Sequence, residues 1–137
     1  MECSTISKRR LMSSKMLCLV VIDDEVLCLE TIMLLLVGTN YRVCPFHKVS
    51  EGLEYIYNHA EEVDAVLLDI MMPEITGVEA LERLRRHGDT SQIPVILQSG
   101  IASESQLGID LASNRASFIR KPFSRESLIT AVEEAVA

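Results

Sequence analysis

Three largely apolar runs, Leu17–Ile22, Val63–Leu68 and Ile93–Leu97, constrain the fold of this chain more than any other feature. None alternates apolar with polar residues, so both faces of each strand must be covered. That is the mark of a parallel sheet held between two layers of helices. Helical patterns separate the runs. Glu25–Val37 carries Leu27, Glu30, Thr31 and Leu34 at helical spacing and stops at Gly38. Tyr41–Phe46 is a shorter strand candidate. Ser50 is placed to cap a helix whose apolar stripe is Leu53, Ile56, Tyr57 and Ala60. Val78, Leu81 and Leu84 line a third helix, closed by His87-Gly88. Pro94 introduces the strand Ile93–Leu97. Ser103 and Gln106 have the spacing of a capping box before a short helix containing Leu107 and Leu111. Ala116–Arg120 is the last strand, and Ser124 caps a final helix that turns Leu128, Ile129, Val132 and Val136 inward. A strand followed by a helix, five times over, predicts an α/β chain: a three-layer, doubly wound (βα)5 sandwich with right-handed crossovers.

The length of 137 residues suits one domain. The formal net charge is −7, from 20 acidic and 13 basic side chains. That balance argues against nucleic acid as a direct partner, because phosphate backbones are bound by clustered Lys and Arg. The charge is uneven: Lys8, Arg9, Arg10 and Lys15 stand against Glu2 in residues 1–15. This stretch is expected to be a disordered basic tail, with the folded domain at 16–137. The apolar run after it lacks a small-residue cleavage site and ends in Asp23-Asp24-Glu25, unlike a signal peptide. No apolar stretch approaches the ~20 residues that span a bilayer. The expected location is the cytoplasm. Cys3, Cys18, Cys28 and Cys44 form no C-x-x-C pair, and His47, His59 and His87 fall at no zinc spacing. Cys18, Cys28 and Cys44 are therefore expected to be reduced thiols in the core.

In doubly wound folds, ligands bind outside the carboxyl ends of the strands, where the strand order switches. The residues at those ends are Asp23-Asp24-Glu25, Asp69, Ser99-Gly100 and Lys121-Pro122. Asp23, Asp24 and Asp69 would converge from two strand ends, and like charges in a partly dry site repel. A hard divalent cation removes that cost. Mg2+ (or Mn2+) takes oxygen ligands and is commonly held by one or two carboxylates together with a phosphate. A cis bond between Lys121 and Pro122 would aim the ammonium over the site. Ser99 offers a hydroxyl for a phosphoryl oxygen, and Gly100 leaves room for the group to enter.

The stretches Val21-Ile22-Asp23-Asp24-Glu25, Leu67-Leu68-Asp69-Ile70-Met71-Met72-Pro73-Glu74, Gly77, Pro94-Val95-Ile96-Leu97-Gln98-Ser99-Gly100 and Lys121-Pro122-Phe123, in this order and at these intervals, resemble the receiver domain of two-component response regulators. The resemblance covers residues 16–137. Its Ser99-Gly100 and Phe118–Phe123 segments look like receivers attached to hybrid sensor kinases. It implies a flavodoxin-like sheet of order 2-1-3-4-5. It makes Asp69 the phosphoacceptor, attacking the phosphohistidine of a sensor histidine kinase or histidine phosphotransfer protein. Asp24 would bind the metal directly, Asp23 mainly through water, and the backbone carbonyl of Met71 would be a further ligand. Ser99 and Lys121 would hold the phosphoryl oxygens, and Phe118 would be the aromatic switch residue. Such a domain is no enzyme in the ordinary sense; it catalyses only its own phosphorylation and slow dephosphorylation. The face of the fourth strand, fourth helix and fifth strand would dock a downstream protein effector, and phosphorylation-dependent homodimers occur in the family.

Two features depart from the family pattern, the pair Asn114-Arg115 and the loosely patterned stretch Ile101–Asn114, where the fourth helix is expected. Asn114-Arg115 stand where Gly-Ala is common, with Asn114 expected to tolerate a left-handed backbone. Met71 and Ile101, two residues beyond Asp69 and Ser99, cannot orient an attacking water, so a long-lived aspartyl phosphate is expected. Three other readings fit less well. A phosphatase of the haloacid-dehalogenase type needs a second acid where Met71 stands. A nucleotide- or flavin-binding domain needs G-x-G-x-x-G or a P-loop, and neither is present. A degenerate receiver would have lost the acids or the lysine.

Overall fold

The computed structural model describes residues 16–137, and the basic stretch 1–15 lies outside the described residues. Five strands, β1 (Leu17–Ile22), β2 (Tyr41–Phe46), β3 (Ala65–Asp69), β4 (Val95–Ser99) and β5 (Ala116–Arg120), form one parallel sheet of order β2-β1-β3-β4-β5. Among the described residues the α-helices are α1 (Val26–Leu35), α2 (Val49–Asn58), α3 (Gly77–Arg86) and α4 (Arg125–Val136). The doubly wound α/β reading holds. So does the inference from apolar strands, since every residue of β3 and β4 is buried.

Alternate strand residues feed two cores. Val20, Ile22, Val66, Leu68, Val95 and Leu97 pack with Leu53 and Ile56 of α2 and with Leu81 and Leu84 of α3. Leu19, Val21, Leu67 and Ile96 pack with Leu29 and Ile32 of α1 and with Leu128 and Val132 of α4. Each such side chain contributes about 1.5–3 kcal/mol by leaving water.

Several local expectations need correction. The series Leu27 to Leu34 marks the outer face of α1, where both leucines are about three-quarters exposed (75% and 74%); Leu29, Ile32 and Leu36 face the sheet. With leucines on both faces, the helix offers no clear period from which to choose the buried one. Ser50 caps nothing, because it lies inside α2, which begins at Val49 with Lys48 at its N-cap and no side-chain cap. α3 has a full capping box from Thr76 and Glu79, and Ser124 caps α4 as expected. β4 runs on through Gln98 and Ser99, which pair with Asp69 and Arg120.

The fourth crossover differs most. Ser103 and Gln106 make their capping box, but only the 3-10 turns Glu104–Gln106 and Ala112–Asn114 follow. Gly108, at φ 73, turns the chain between them. The left-handed residue before β5 is Arg115 (φ 50), one position after the expected Asn114. Arg85 takes the place of helix packing here. Its guanidinium donates to the carbonyls of Thr90, Ile93, Asn114 and Arg115 and ties α3 to the segments that lead into β4 and into β5. The thiols divide: Cys18 is buried, whereas Cys28 and Cys44 are half-exposed, and all three are free. Cys3 lies outside the described residues. Among the described residues no helix is long and apolar enough to cross a membrane.

Candidate functional site

The strand order switches between β1 and β3, which leave the sheet in opposite directions towards β2 and β4. Their registered ends, Ile22 beside Leu68, bring Asp23 and Asp69 together. Asp23 is fully buried and Asp69 nearly so, while Asp24 faces solvent. Ligand oxygens of Asp23, Asp24 and Asp69 lie within 4.8 Å of one another. Lys121 follows β5 directly, its bond to Pro122 is cis, and its Nζ donates to Asp23 Oδ2 at 2.9 Å and lies 3.6 Å from Asp69 Oδ1. The sequence-derived acids and lysine therefore meet at one point.

Burial is the main force raising the Asp69 carboxyl to about 7, and the neighbouring Asp23 charge adds to it; Lys121 and a backbone hydrogen bond from Met71 oppose the shift. Burial also disfavours the charged form of Lys121. Its hydrogen bond to Asp23 and the charges of Asp23 and Asp69 outweigh this, so the ammonium is held up to about 12. Lys121 thus neutralises Asp23 first, and Asp69 is left short of positive charge. A group of hard oxygen donors in this condition fits a small divalent cation. Cys28 lies closer to the site than its expected core position. Its thiol donates to Glu25 Oε1 at 3.1 Å and lies 3.7 Å from Lys121 Nζ.

Ser99 ends β4. Its Oγ accepts the backbone N–H groups of Ile101 (3.1 Å) and Ala102 (2.9 Å), which leaves its own proton free to donate. Gly100 is not required for space, since an added Cβ would meet Lys121 only at 3.6 Å. Gly77 is required: an added Cβ there would stand 2.5 Å from the carbonyl oxygen of Asp69. Phe118 is half-buried on β5, opposite Leu97, and packs against the α2–α3 core. Met71 and Ile101 are 54% and 78% exposed. Sequence reasoning passed over Gln98, which is fully buried and donates through Nε2 to Asp23 Oδ2 at 3.4 Å. The available signal was an amide inside an otherwise apolar strand.

A parallel sheet whose switch point gathers three acids and a lysine defines a doubly wound α/β domain with an acidic site at its carboxyl edge. The sequence model of the response regulator receiver domain matches residues 19–133, and the chain belongs to that family, the receiver domain of two-component response regulators. Among relatives, the 3',5'-cyclic-nucleotide phosphodiesterase regA of Dictyostelium discoideum is 35% identical over 80% of this chain and 14% of its own length. The transcriptional regulatory protein DltR of Streptococcus agalactiae is 32% identical over 83% of this chain and 49% of its own. The chain thus spans about half or less of the length of these relatives. A response regulator receiver domain from Clostridium thermocellum superposes with a TM-score of 0.80 at 25% identity, covering 88% of this chain and 94% of that one.

Proposed function

We propose that this domain is a phosphorylation switch in which Asp69 is the phosphoacceptor. An Asp69 oxygen attacks the phosphorus of a phosphohistidine on a sensor kinase or phosphotransfer protein. The P–N bond breaks, the imidazole keeps the electron pair, and a mixed anhydride remains on Asp69. Asp23, Asp24, Asp69 and the Met71 carbonyl are the ligand set for Mg2+, which when bound supplies positive charge to the transferring phosphoryl oxygens. Lys121 pairs with one phosphoryl oxygen, and Ser99 turns its free proton to another. The observation that carries this reading is the convergence of three carboxylates within 4.8 Å, with Lys121 Nζ 2.9 Å from one and 3.6 Å from another.

The added group brings about −1.5 to −2 charge. Lys121 and Ser99 contact it only in the phosphorylated state, which is the differential interaction a population shift requires. The responding surface is β4, the irregular crossover 101–115 and β5, with Phe118 turning inward as Ser99 moves. Its readers are a downstream protein effector or a second phosphorylated copy, in the cytoplasm, with no nucleic acid or membrane contacted directly.

Acetyl phosphate or beryllofluoride with Mg2+ tests the reading. The expected result is a mass gain, or a metal-dependent spectral change, that Asp69→Asn abolishes. Turnover of a phosphate ester would point to a phosphatase instead. The exposed, non-polar Met71 and Ile101 flank the site without a group to orient water, so the aspartyl phosphate should persist for many minutes. Decay within seconds, followed by mass spectrometry in Mg2+, would refute that expectation.

A further inference from the structure

We propose that Gln98 is a positioning residue that takes over the inner oxygen of Asp23 when Lys121 leaves it for a phosphoryl group. The inference rests on the reading of Asp69 as phosphoacceptor. β4 reads Val-Ile-Leu-Gln-Ser, and Gln98 is its one amide, buried completely. Among the described residues its Oε1 has no hydrogen-bond partner. A buried amide with one end unsatisfied is costlier than an apolar side chain of the same shape. The compensation lies at the other end.

Gln98 Nε2 points at Asp23 Oδ2 from 3.4 Å, and this oxygen also accepts Lys121 Nζ at 2.9 Å. Asp23 Oδ1 is engaged separately by the backbone N–H of Glu25 at 2.9 Å. Asp23 is closed to solvent in the resting chain, with Lys121, Gln98 and the Glu25 N–H as its donors. Lys121 is also 3.6 Å from Asp69, where the phosphoryl group would be built. A new dianion there draws the ammonium across and leaves Oδ2 short of a donor. The amide contact is long in the resting chain and has room to shorten to an ordinary N–H···O distance of about 2.9 Å. Gln98 thus does little while Lys121 holds Asp23, and it lowers the cost of the phosphorylated state. An apolar residue at this position could not.

The test uses Gln98→Met, which keeps the length and removes the donor, with Gln98→Leu as a second variant. Metal-free urea unfolding should show no loss of stability, and a gain is expected where the unsatisfied amide is removed; the affinity for Mg2+ alone should match wild type, because Lys121 still holds Asp23. The affinity for beryllofluoride in saturating Mg2+ should fall about tenfold in both variants, the effect of one hydrogen bond to a charged group. Unchanged beryllofluoride affinity would overturn the proposal. So would equal losses in Mg2+ affinity or in folding stability, which would mark Gln98 as a structural residue only. A wild type that fails to bind beryllofluoride through Asp69 would instead sink the phosphoacceptor reading, and this proposal with it.

Discussion

An ionised Asp69 is unfavourable in the metal-free fold, because it is buried next to Asp23 and the nearest ammonium is closer to Asp23 than to it. Its carboxyl titrates near 7 in the folded chain, against an ordinary value of 3.8. Above about 7 both the folded and unfolded chains carry the charge, and the penalty is complete. Between 7 and 3.8 the folded chain binds the proton first, so stability from this group rises as pH falls. Asp69→Asn should therefore stabilise the metal-free protein at pH 8 by roughly 2 kcal/mol and by much less at pH 4. Urea unfolding in EDTA at the two pH values measures this; an equal effect at both would show that the carboxyl is not held in its neutral form. Asp23, Asp24, Asp69 and Lys121 were legible in the sequence because each is charged and stands at the carboxyl end of a strand candidate. Gln98 and Cys28 were not, because neither is charged and each owes its importance to a neighbour remote in the chain, Asp23 and Lys121 respectively.

At the scale of elements, the turn from β3 into α3 is the tightest coupling between site and scaffold. Gly77 donates its N–H to the Ile70 carbonyl at 2.9 Å, and its Cα packs against the backbone of Asp69. Backbone cannot swing aside as a side chain can. Gly77→Ala should cost about 2–3 kcal/mol of stability and displace Asp69, so that Mg2+ affinity falls too. Denaturant titration together with calorimetric Mg2+ binding checks both; a loss of stability with unchanged Mg2+ affinity would uncouple the turn from the site. Three elements escaped sequence reasoning for distinct reasons. α1 carries leucines on both its exposed and its buried face, so its buried face is chosen by the sheet. α2 starts without a side-chain cap. The segment 101–115 carries a capping box, yet Gly108 turns the chain after one 3-10 turn, and Arg85 holds only the segment's far end, at Asn114 and Arg115.

For the molecule as a whole, metal binding and folding are linked. A cation that binds only the assembled acids stabilises the fold by about 2.7 kcal/mol at a hundred times its dissociation constant. Unfolding midpoints should rise with Mg2+ concentration at pH 8. The rise should shrink at pH 5, where Asp69 carries a proton, and vanish in Asp24→Asn, whose exposed side chain adds little to the metal-free fold. A Mg2+ response that persists in Asp24→Asn would place the ion elsewhere. The sequence by itself determined the alternation of buried strands and helices, and which charged residues end those strands, because burial on both faces and charge beside an apolar run are local properties of the chain. Only the tertiary structure decided that Lys121 sits nearer Asp23 than Asp69, that Gln98 shares the same oxygen, and that the fourth crossover is irregular. Those outcomes depend on distances between segments about 30 to 100 residues apart in the chain, such as Asp23 and Lys121 or Arg85 and Arg115, and no local pattern encodes them.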